Sequence, residues 1–174
     1  EGPLPLPLWW GSQPGRRALQ FAEQRDWIPA LGATYHLGID GISVLLVLLT
    51  TIITAIAIVG SLSSVDKRPR EFYSLILALE AGMLGTFLTL DLLLFYVFWE
   101  AMLIPMYLLI GVWGGPRRVY AAIKFFLYTM VGSVLMLAAI LWLYWLQKSV
   151  TGVATFSLDA FYQLPLDPGT QVWL

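Results

Sequence analysis

The 174-residue sequence contains no cysteine, a single histidine (His36) and few charged side chains. Without cysteine the chain forms no disulfide bond, and with one histidine it lacks the usual ligand set of a structural zinc site. Charged residues make up 12% of the chain, against about 25% in an ordinary soluble protein. The formal net charge of −1 leaves no basic patch of the kind that binds nucleic acid. Any buried chemistry therefore has to use carboxyl, amine, phenol or hydroxyl groups.

Apolar side chains take the place of the missing charges: 59% of the residues are hydrophobic, and the mean hydropathy is +0.76. Four runs meet the length of roughly 20 apolar residues that a helix needs to cross a bilayer. They are residues 38–62, 72–90, 92–113 and 120–147. Lipid-exposed backbone has to hydrogen-bond within its own segment, and the runs are too long for barrel strands. We therefore predict an all-α integral membrane protein, with four transmembrane helices within residues 37–148.

Segments rich in turn-forming residues flank the four runs. Residues 1–36 hold many proline, glycine and tryptophan residues, and we interpret them as a loop at the membrane surface. Within them, the mixture of apolar and charged residues over 16–31 predicts an interfacial amphipathic helix. Residues 149–174 predict an exposed loop that leads to a further helix beyond the sequence. Because the chain begins with Glu1 instead of methionine, we expect a fragment or a processed chain.

Basic residues mark one side of the predicted bundle. The connections after the first and third runs carry Lys67, Arg68, Arg70, Arg117 and Arg118. Lysine and arginine are in excess on the cytoplasmic side of membrane proteins. We therefore expect these two turns to be cytoplasmic, and residues 1–36 and 149–174 to be extracytoplasmic.

Glu100 is the most informative residue, because it lies inside the third apolar run, about 12 Å from one end and about 20 Å from the other. A charge at that depth costs at least about 2.5–3.5 kcal/mol on insertion scales, so an ionisable group there marks an ion or proton path by default. Pro105 removes a backbone hydrogen bond nearby, which predicts a bend in the helix. We predict that Glu100 transfers protons. The alternative is a protonated structural carboxyl group bonded to a neighbouring helix.

Glu80 and Lys124 are two further candidates for proton transfer. Glu80 is predicted at the same depth as Glu100 on the antiparallel neighbouring helix, where it would either exchange a proton with Glu100 or form a buried interhelical hydrogen bond. Lys124 enters the fourth run by only about 6 Å, so it would either snorkel to the headgroups or serve in proton entry. The depths of Lys124 and Glu100 differ by about 14 Å, too far for a direct ion pair. An ionised Glu100 therefore needs a partner from absent sequence, from another subunit or from a water chain, and we predict a buried Lys or Arg supplied from elsewhere.

Three stretches of the sequence resemble the antiporter-like subunits of respiratory complex I, the NADH-quinone oxidoreductase. They are LGIDGIS at 37–43, DLLLFYVFWEAMLIPMY at 91–107 and KFFLYT at 124–129. The resemblance runs from about Tyr35 to beyond Lys148, and its middle stretch is the most specific. Members of that family are longer, with further helices on both sides. The resemblance thus implies a four-helix transmembrane segment of a larger antiporter-like bundle.

The resemblance also implies a function. It is that of a proton-translocating membrane-arm subunit in the bacterial inner membrane, driven by quinone reduction elsewhere and without a cofactor of its own. NADH, FMN, iron–sulfur clusters and quinone are implied in partner subunits, and the implied partners of this chain are the other membrane-arm subunits and the lipid bilayer. Glu100 matches the family's glutamate, whose partner is a lysine on a later, broken helix. Lys124 matches a lysine position of the family, and Glu80 is carried over with them.

Two alternatives stay open from the sequence. The same fold serves multisubunit cation/proton antiporters and membrane-bound hydrogenases, and the motifs separate these classes imperfectly. The second alternative is a structural scaffold whose glutamates remain protonated and only bond the helices together.

Overall fold

The computed structural model describes residues 20–164, most of which are helical. In chain order the elements are strand β1 (Gln20–Ile28), a 3₁₀ turn (Pro29–Leu31), strand β2 (Ala33–Ile39), and helices α1 (Gly41–Ser61), α2 (Pro69–Leu88), α3 (Leu92–Trp113), α4 (Arg118–Thr151) and α5 (Leu158–Tyr162). Within the described range, α1 to α4 are each long and apolar enough to cross a membrane. The predicted helical membrane fold is confirmed, with the addition of a small β-hairpin.

Helix bounds follow local capping more closely than hydropathy. Helix α3 has the predicted bounds, whereas α4 has 34 residues and extends past the apolar run at both ends. Its last turn ends at Gly152, whose φ of 75° is the left-handed conformation of a helix C-cap. At 1.5 Å per residue α4 is about 51 Å long, against about 30 Å for the hydrocarbon core of a bilayer. Helix α4 therefore tilts or projects from the membrane.

Aspartate caps begin two of the spans. The carboxylate of Asp40 accepts hydrogen bonds from the backbone N–H groups of Ile42 and Ser43, at 3.0 and 2.7 Å, and the hydroxyl of Ser43 accepts the N–H of Asp40 in return. Asp91 accepts from the first N–H groups of α3 in the same way. These carboxylates satisfy backbone donors that would otherwise lack a partner at a helix start. Asp40 and Asp91 therefore cap the N-termini of α1 and α3.

Consecutive spans pack against one another, α1 on α2, α2 on α3 and α3 on α4. At Gly82 and Gly85 of α2, an added Cβ atom would collide with the side chains of Met102 and Phe98 on α3. Helices α2 and α3 therefore approach each other closely at these two glycines. Small residues let helix backbones come near each other where no hydrophobic effect drives them together.

The amphipathic helix predicted over 16–31 is wrong for the described residues. From Gln20 onward the chain forms β1, which pairs antiparallel with β2 around the 3₁₀ turn. Gly32 makes this turn possible, because its φ is 67° and a Cβ atom there would collide with the carbonyl of Ala154. An isolated two-stranded hairpin is marginal in water, so contacts from elsewhere in the fold decide the outcome over the local pattern.

Those contacts form one end of the molecule, which we call the hairpin end. It comprises the hairpin, the turn between α2 and α3, and the segment from Gly152 to α5. Backbone hydrogen bonds join the three parts: Leu90 N–H to the carbonyl of His36 at 2.8 Å, Leu92 N–H to that of Phe156 at 2.9 Å, and Leu158 N–H to that of Leu90 at 2.9 Å. Helix α5 lies in the predicted loop over 149–174. Residues 1–19 and 165–174 of the predicted loops lie outside the described range.

The opposite end, which we call the basic end, holds the α1–α2 and α3–α4 turns. The five basic residues listed for these turns above therefore share one end of the bundle. The indole N–H of Trp113 donates to the carbonyl of Lys67 at 2.6 Å and joins the two turns. The same indole packs edge-on against Phe72.

Candidate functional site

Glu100 is the ninth residue of the 22-residue helix α3, and its side chain is half-buried. Its Oε1 atom is fully buried and has no hydrogen-bond partner among the described residues. A buried carboxyl oxygen without a hydrogen-bond partner costs free energy. Such an oxygen is expected on a carboxyl group that exchanges a proton or binds a further partner.

Tyr96 and Ser133 are the polar groups beside Glu100. Tyr96 lies four residues before Glu100, on the same face of α3. Ser133 is on α4 and only 3% exposed. Tyr96 and Glu100 therefore share one face of α3, and Ser133 is a buried polar residue of α4, the helix that packs against α3.

Pro105 is buried in α3 and the helix continues through it. Proline has no N–H, so it donates no hydrogen bond to the carbonyl of Ala101, one residue after Glu100. The predicted bend of the helix beside the carboxyl group stays a prediction.

Glu80 is half-buried on α2, the antiparallel neighbour of α3. The contacts of Gly82 with Met102 and of Gly85 with Phe98 fix the register of the two helices. By this register Glu100 lies opposite position 83 or 84, three to four residues from Glu80, which corresponds to about 5 Å in depth. The two carboxyl groups are thus within about one helical turn of each other in depth.

Lys124 lies on a different side of α4. The residues of α4 buried against the other elements include Ala122, Ser133 and Ile140, whereas Lys124 is exposed. Together with Leu127, Tyr128, Val131, Gly132 and Leu135 it lines an open groove of about 570 Å³. Its ammonium group is 5.9 Å from the centre of the Tyr120 ring, within the range of a cation–π interaction.

The register of α3 and α4 separates Lys124 from Glu100 along the membrane normal. Gly111 lies against Ala122, and the rings of Tyr107 and Phe126 are 5.7 Å apart. Lys124 is therefore opposite position 109, nine residues or about 13 Å from Glu100. The structure places Glu100 and Glu80 on adjacent helices at similar depth and does not bring Lys124 to them.

Residues 20–164 contain no group of three or more His, Cys, Asp or Glu side chains able to hold a metal ion. A second cavity, of about 330 Å³, lies between α2, α3 and α4 and is lined mainly by Leu, Met, Phe and Trp side chains. Such a lining suits acyl chains or apolar side chains and offers little to a charged cofactor.

Tyr96, Ser133 and Gln147 are polar side chains of the interior that the sequence analysis missed. The spacing of four residues between Tyr96 and Glu100 is a signal that could have found Tyr96. Ser133 required knowledge of the α3–α4 register. Gln147 is 5% exposed, near the hairpin end of α4, and its Oε1 has no partner in the described part of the chain.

Comparison with known proteins finds a matching family and several similar proteins. Residues 89–164 match the family described as NADH:quinone oxidoreductase/Mrp antiporter, TM. NADH-quinone oxidoreductase subunit M of Rhodobacter capsulatus is 49% identical over 149 residues, which are 86% of this chain and 28% of the relative. Subunit M of Rickettsia conorii is 45% identical over 147 residues, 84% of this chain and 29% of the relative. F(420)H(2) dehydrogenase subunit M of Methanosarcina mazei is 42% identical over 141 residues, which are 81% of this chain and 28% of the relative.

Two solved structures share the fold. A chain of respiratory complex I from Thermus thermophilus with bound NADH superposes with a TM-score of 0.70 at 34% identity, over 88% of this chain and 31% of the other. A chain of the Mrp complex from Dietzia sp. DQ12-45-1b superposes with a TM-score of 0.71 at 25% identity, over 85% of this chain and 16% of the other. The chain spans about three tenths of the length of the subunit M relatives. The resemblance seen in the motifs is confirmed: residues 89–164 match the NADH:quinone oxidoreductase/Mrp antiporter family of transmembrane proteins, and the chain is similar to NADH-quinone oxidoreductase subunit M over most of its own length.

Proposed function

We propose that this chain is part of a proton-translocating membrane-arm subunit of NADH-quinone oxidoreductase. Protons move through buried carboxyl groups, and the driving reaction, quinone reduction by NADH, takes place in other subunits of the complex. The observation that carries the proposal is the half-buried Glu100, with an unpartnered Oε1 atom, in the interior of an apolar spanning helix. Ionisable groups inside membrane spans mark ion and proton pathways.

Glu100 is the central proton-transfer residue of this proposal, with Glu80 and Lys124 as further members. Glu80 is close enough in depth for a short water chain to link the two carboxyl groups. Lys124, about 13 Å away along the bundle, would act near the basic end in proton entry. The cation that stabilises an ionised Glu100 comes from sequence outside this chain.

The setting follows from the same proposal. NADH, FMN, iron–sulfur clusters and quinone belong to partner subunits, and the direct partners of this chain are other membrane-arm subunits and lipid. We place it in the bacterial inner membrane as a multi-pass protein. The basic end is cytoplasmic, because positive residues are retained on that side, and the hairpin end is extracytoplasmic.

Exchange of Glu100 for glutamine tests the function, because Glu100→Gln keeps the shape and a hydrogen-bonding amide but cannot ionise. In inverted membrane vesicles of a strain carrying the full subunit, we expect NADH-driven proton translocation to fall by at least tenfold while the complex still assembles. Glu71→Gln is a matched control, since Glu71 is an exposed glutamate at the basic end, paired with Arg68. Pumping that is unchanged in Glu100→Gln, with normal assembly, would contradict proton transfer and favour the scaffold alternative.

A cation/proton antiporter is the second candidate, favoured by the structural similarity to a chain of the Mrp complex. The two candidates differ in their partners. A complex I subunit co-purifies with iron–sulfur subunits that oxidise NADH, whereas an antiporter subunit exchanges cations for protons in vesicles without NADH. Purification of the full subunit under mild detergent, followed by an NADH oxidation assay, separates them.

A further inference from the structure

We propose that the α3–α4 turn and the exposed face of α4 form a binding site for an anionic phospholipid, with its phosphate at the basic end and an acyl chain along α4. The site goes beyond the proposed function, because it requires only that the four spans lie in a membrane. Two adjoining grooves carry the proposal, one lined by basic side chains and the other by apolar ones.

The first groove has a volume of about 750 Å³ and lies at the basic end, between the end of α3 and the first turns of α4. We call it the head groove. Three of its lining residues are basic, namely Arg117, Arg118 and Lys124, and all three are exposed. None of them takes part in an ion pair among residues 20–164, and no acidic side chain belongs to the described lining. The head groove therefore carries positive charge that the described part of the chain does not compensate.

The second groove is the one of about 570 Å³ described above, and we call it the tail groove. Lys124 and Tyr128 line both grooves, so the two adjoin. Farther along α4 the lining consists of apolar side chains and Gly132. From Lys124 to Leu135 the helix rises by about 17 Å, close to half of the roughly 30 Å of a hydrocarbon core. The tail groove thus spans the depth that the acyl chains of one leaflet occupy.

An anionic phospholipid matches both grooves at once. Basic pockets on the cytoplasmic side of membrane proteins bind anionic headgroups, and arginine can donate two parallel hydrogen bonds to phosphate oxygens. The aliphatic stem of Lys124 can lie along apolar surface while its ammonium group reaches the headgroups. The ring of Tyr120, whose centre is 5.9 Å from that ammonium group, has the amphipathic character of residues at the membrane–water interface. Charge and polarity therefore change along the grooves in the order in which they change along a lipid.

A further protein helix is the competing occupant of the tail groove. Helices in membranes pack through small residues, which let their backbones come close. Gly132 is the one small residue among the six described residues that line the tail groove, and it has open space around it, unlike Gly82 and Gly85 in the contact of α2 with α3. An apolar helix would also leave the cations of the head groove without a counter-ion. These observations favour a lipid.

Photolabelling of the complex that contains the full subunit, purified in mild detergent, tests the site. The probe is phosphatidylglycerol with a diazirine in its acyl chain, and phosphatidylcholine with the same chain is the neutral reference. Trypsin cleaves after Lys124 and Lys148, so the apolar part of the tail groove falls in one peptide, 125–148. We expect phosphatidylglycerol to label this peptide at least about fivefold more than phosphatidylcholine at equal subsaturating concentrations.

Two double variants remove the same charge from the same end of the bundle. Arg117→Gln with Arg118→Gln removes two cations of the head groove, whereas Lys67→Gln with Arg70→Gln removes two from the α1–α2 turn, outside both grooves. The first pair should lower the affinity of phosphatidylglycerol about thirtyfold, about fivefold for each basic residue, and the second pair should change it within about twofold. Lys124 stays in place, because the proposed function assigns it to proton entry.

Gly132→Leu tests the tail groove separately, because the leucine side chain fills part of it. The open space around Gly132 accepts this side chain, and leucine favours a helix more than glycine does. Each methylene of the acyl chain that the leucine displaces should lower the affinity about fourfold. Gly132→Ala is the control and should leave the affinity nearly unchanged.

Each outcome supports the lipid site or overturns it. Equal labelling by the two lipids, or equal losses in the two double variants, would mean that only the general charge of this end attracts lipid. Displacement of the label by inorganic phosphate at the concentration of the lipid would indicate a site for free anions instead. If Gly132→Leu prevented assembly while Gly132→Ala assembled, a protein segment would fill the tail groove and the lipid site would be refuted. Glu100→Gln should bind the lipid normally, so the lipid site and the proposed function stand or fall separately.

Discussion

Asp91 offers the sharpest test of how the hairpin end is held, because its carboxylate accepts hydrogen bonds on both sides. Oδ1 accepts the N–H groups of Leu93 and Leu94 at 3.0 and 3.1 Å, and Oδ2 accepts the N–H and hydroxyl groups of Thr34 at 2.9 and 3.2 Å. The residue is 1% exposed. We predict that Asp91→Asn is clearly destabilising, although asparagine normally caps a helix as well as aspartate does.

The magnitude follows from the donors. Asparagine has one acceptor oxygen, so it can serve α3 or Thr34 but not both, and its NH₂ group then faces another N–H donor. One unsatisfied buried donor costs about 1–3 kcal/mol, so we expect a loss of about 2 kcal/mol. Asp91→Ala also loses the helix cap, which adds about 1 kcal/mol. Thr34→Val removes only the hydroxyl bond and should cost about 1 kcal/mol.

Hydrogen exchange followed by mass spectrometry measures these losses in the purified subunit in detergent or nanodiscs. A loss of 2 kcal/mol corresponds to exchange about 30 times faster, expected for β2 and the first turn of α3 in Asp91→Asn. Peptides from the α1–α2 turn at the basic end serve as the internal control and should not change. If Asp91→Asn exchanged within about twofold of the natural protein while Asp91→Ala opened the same region, a one-sided cap would suffice and the reasoning would be refuted.

The remaining predictions concern helix packing and the basic end. Gly85→Ala should cost about 1–3 kcal/mol of stability, because the added methyl group collides with Phe98, and the melting temperature of the subunit should fall. Gly132 has open space around it, so Gly132→Ala is the control and should be neutral. Equal melting temperatures of the two variants would contradict close packing at Gly85. Trp113→Phe should weaken the link to Lys67 by about 1 kcal/mol and speed tryptic cleavage at the basic turn. An unchanged cleavage rate would mean that this hydrogen bond does not restrain the turn.

Most of the helical framework could be predicted from the sequence, because apolar runs of membrane-spanning length have few other solutions in a bilayer. The end of α4 could not, since Lys148 and Ser149 are polar yet compatible with a helix, and Gly152 sets the actual end. The hairpin could not be predicted either. Its stability depends on bonds from β2 to the α2–α3 turn, such as Thr34 to Asp91, which are 57 residues apart in the chain.

The candidate site, too, could be predicted only in part from the sequence. Glu100 could be identified as a candidate site residue from the sequence, because a carboxylate in an apolar run has no ordinary surface role. The position of Glu80 relative to Glu100 depends on a register that the glycine contacts reveal only in three dimensions. The sequence predicted the depth of Lys124 but not the part of the fold that it faces. Ser133 becomes relevant only once α4 is placed against α3.

The two ends of the bundle differ mechanically. At the hairpin end, backbone hydrogen bonds join Leu90 to His36 and Leu92 to Phe156, and the two residues of each pair are far apart in the sequence. At the basic end, the indole of Trp113 joins the turns through a single donor. If the spans tilt relative to one another, we therefore expect the smaller displacement at the hairpin end and the larger one at the basic end, the side where Lys124 lies.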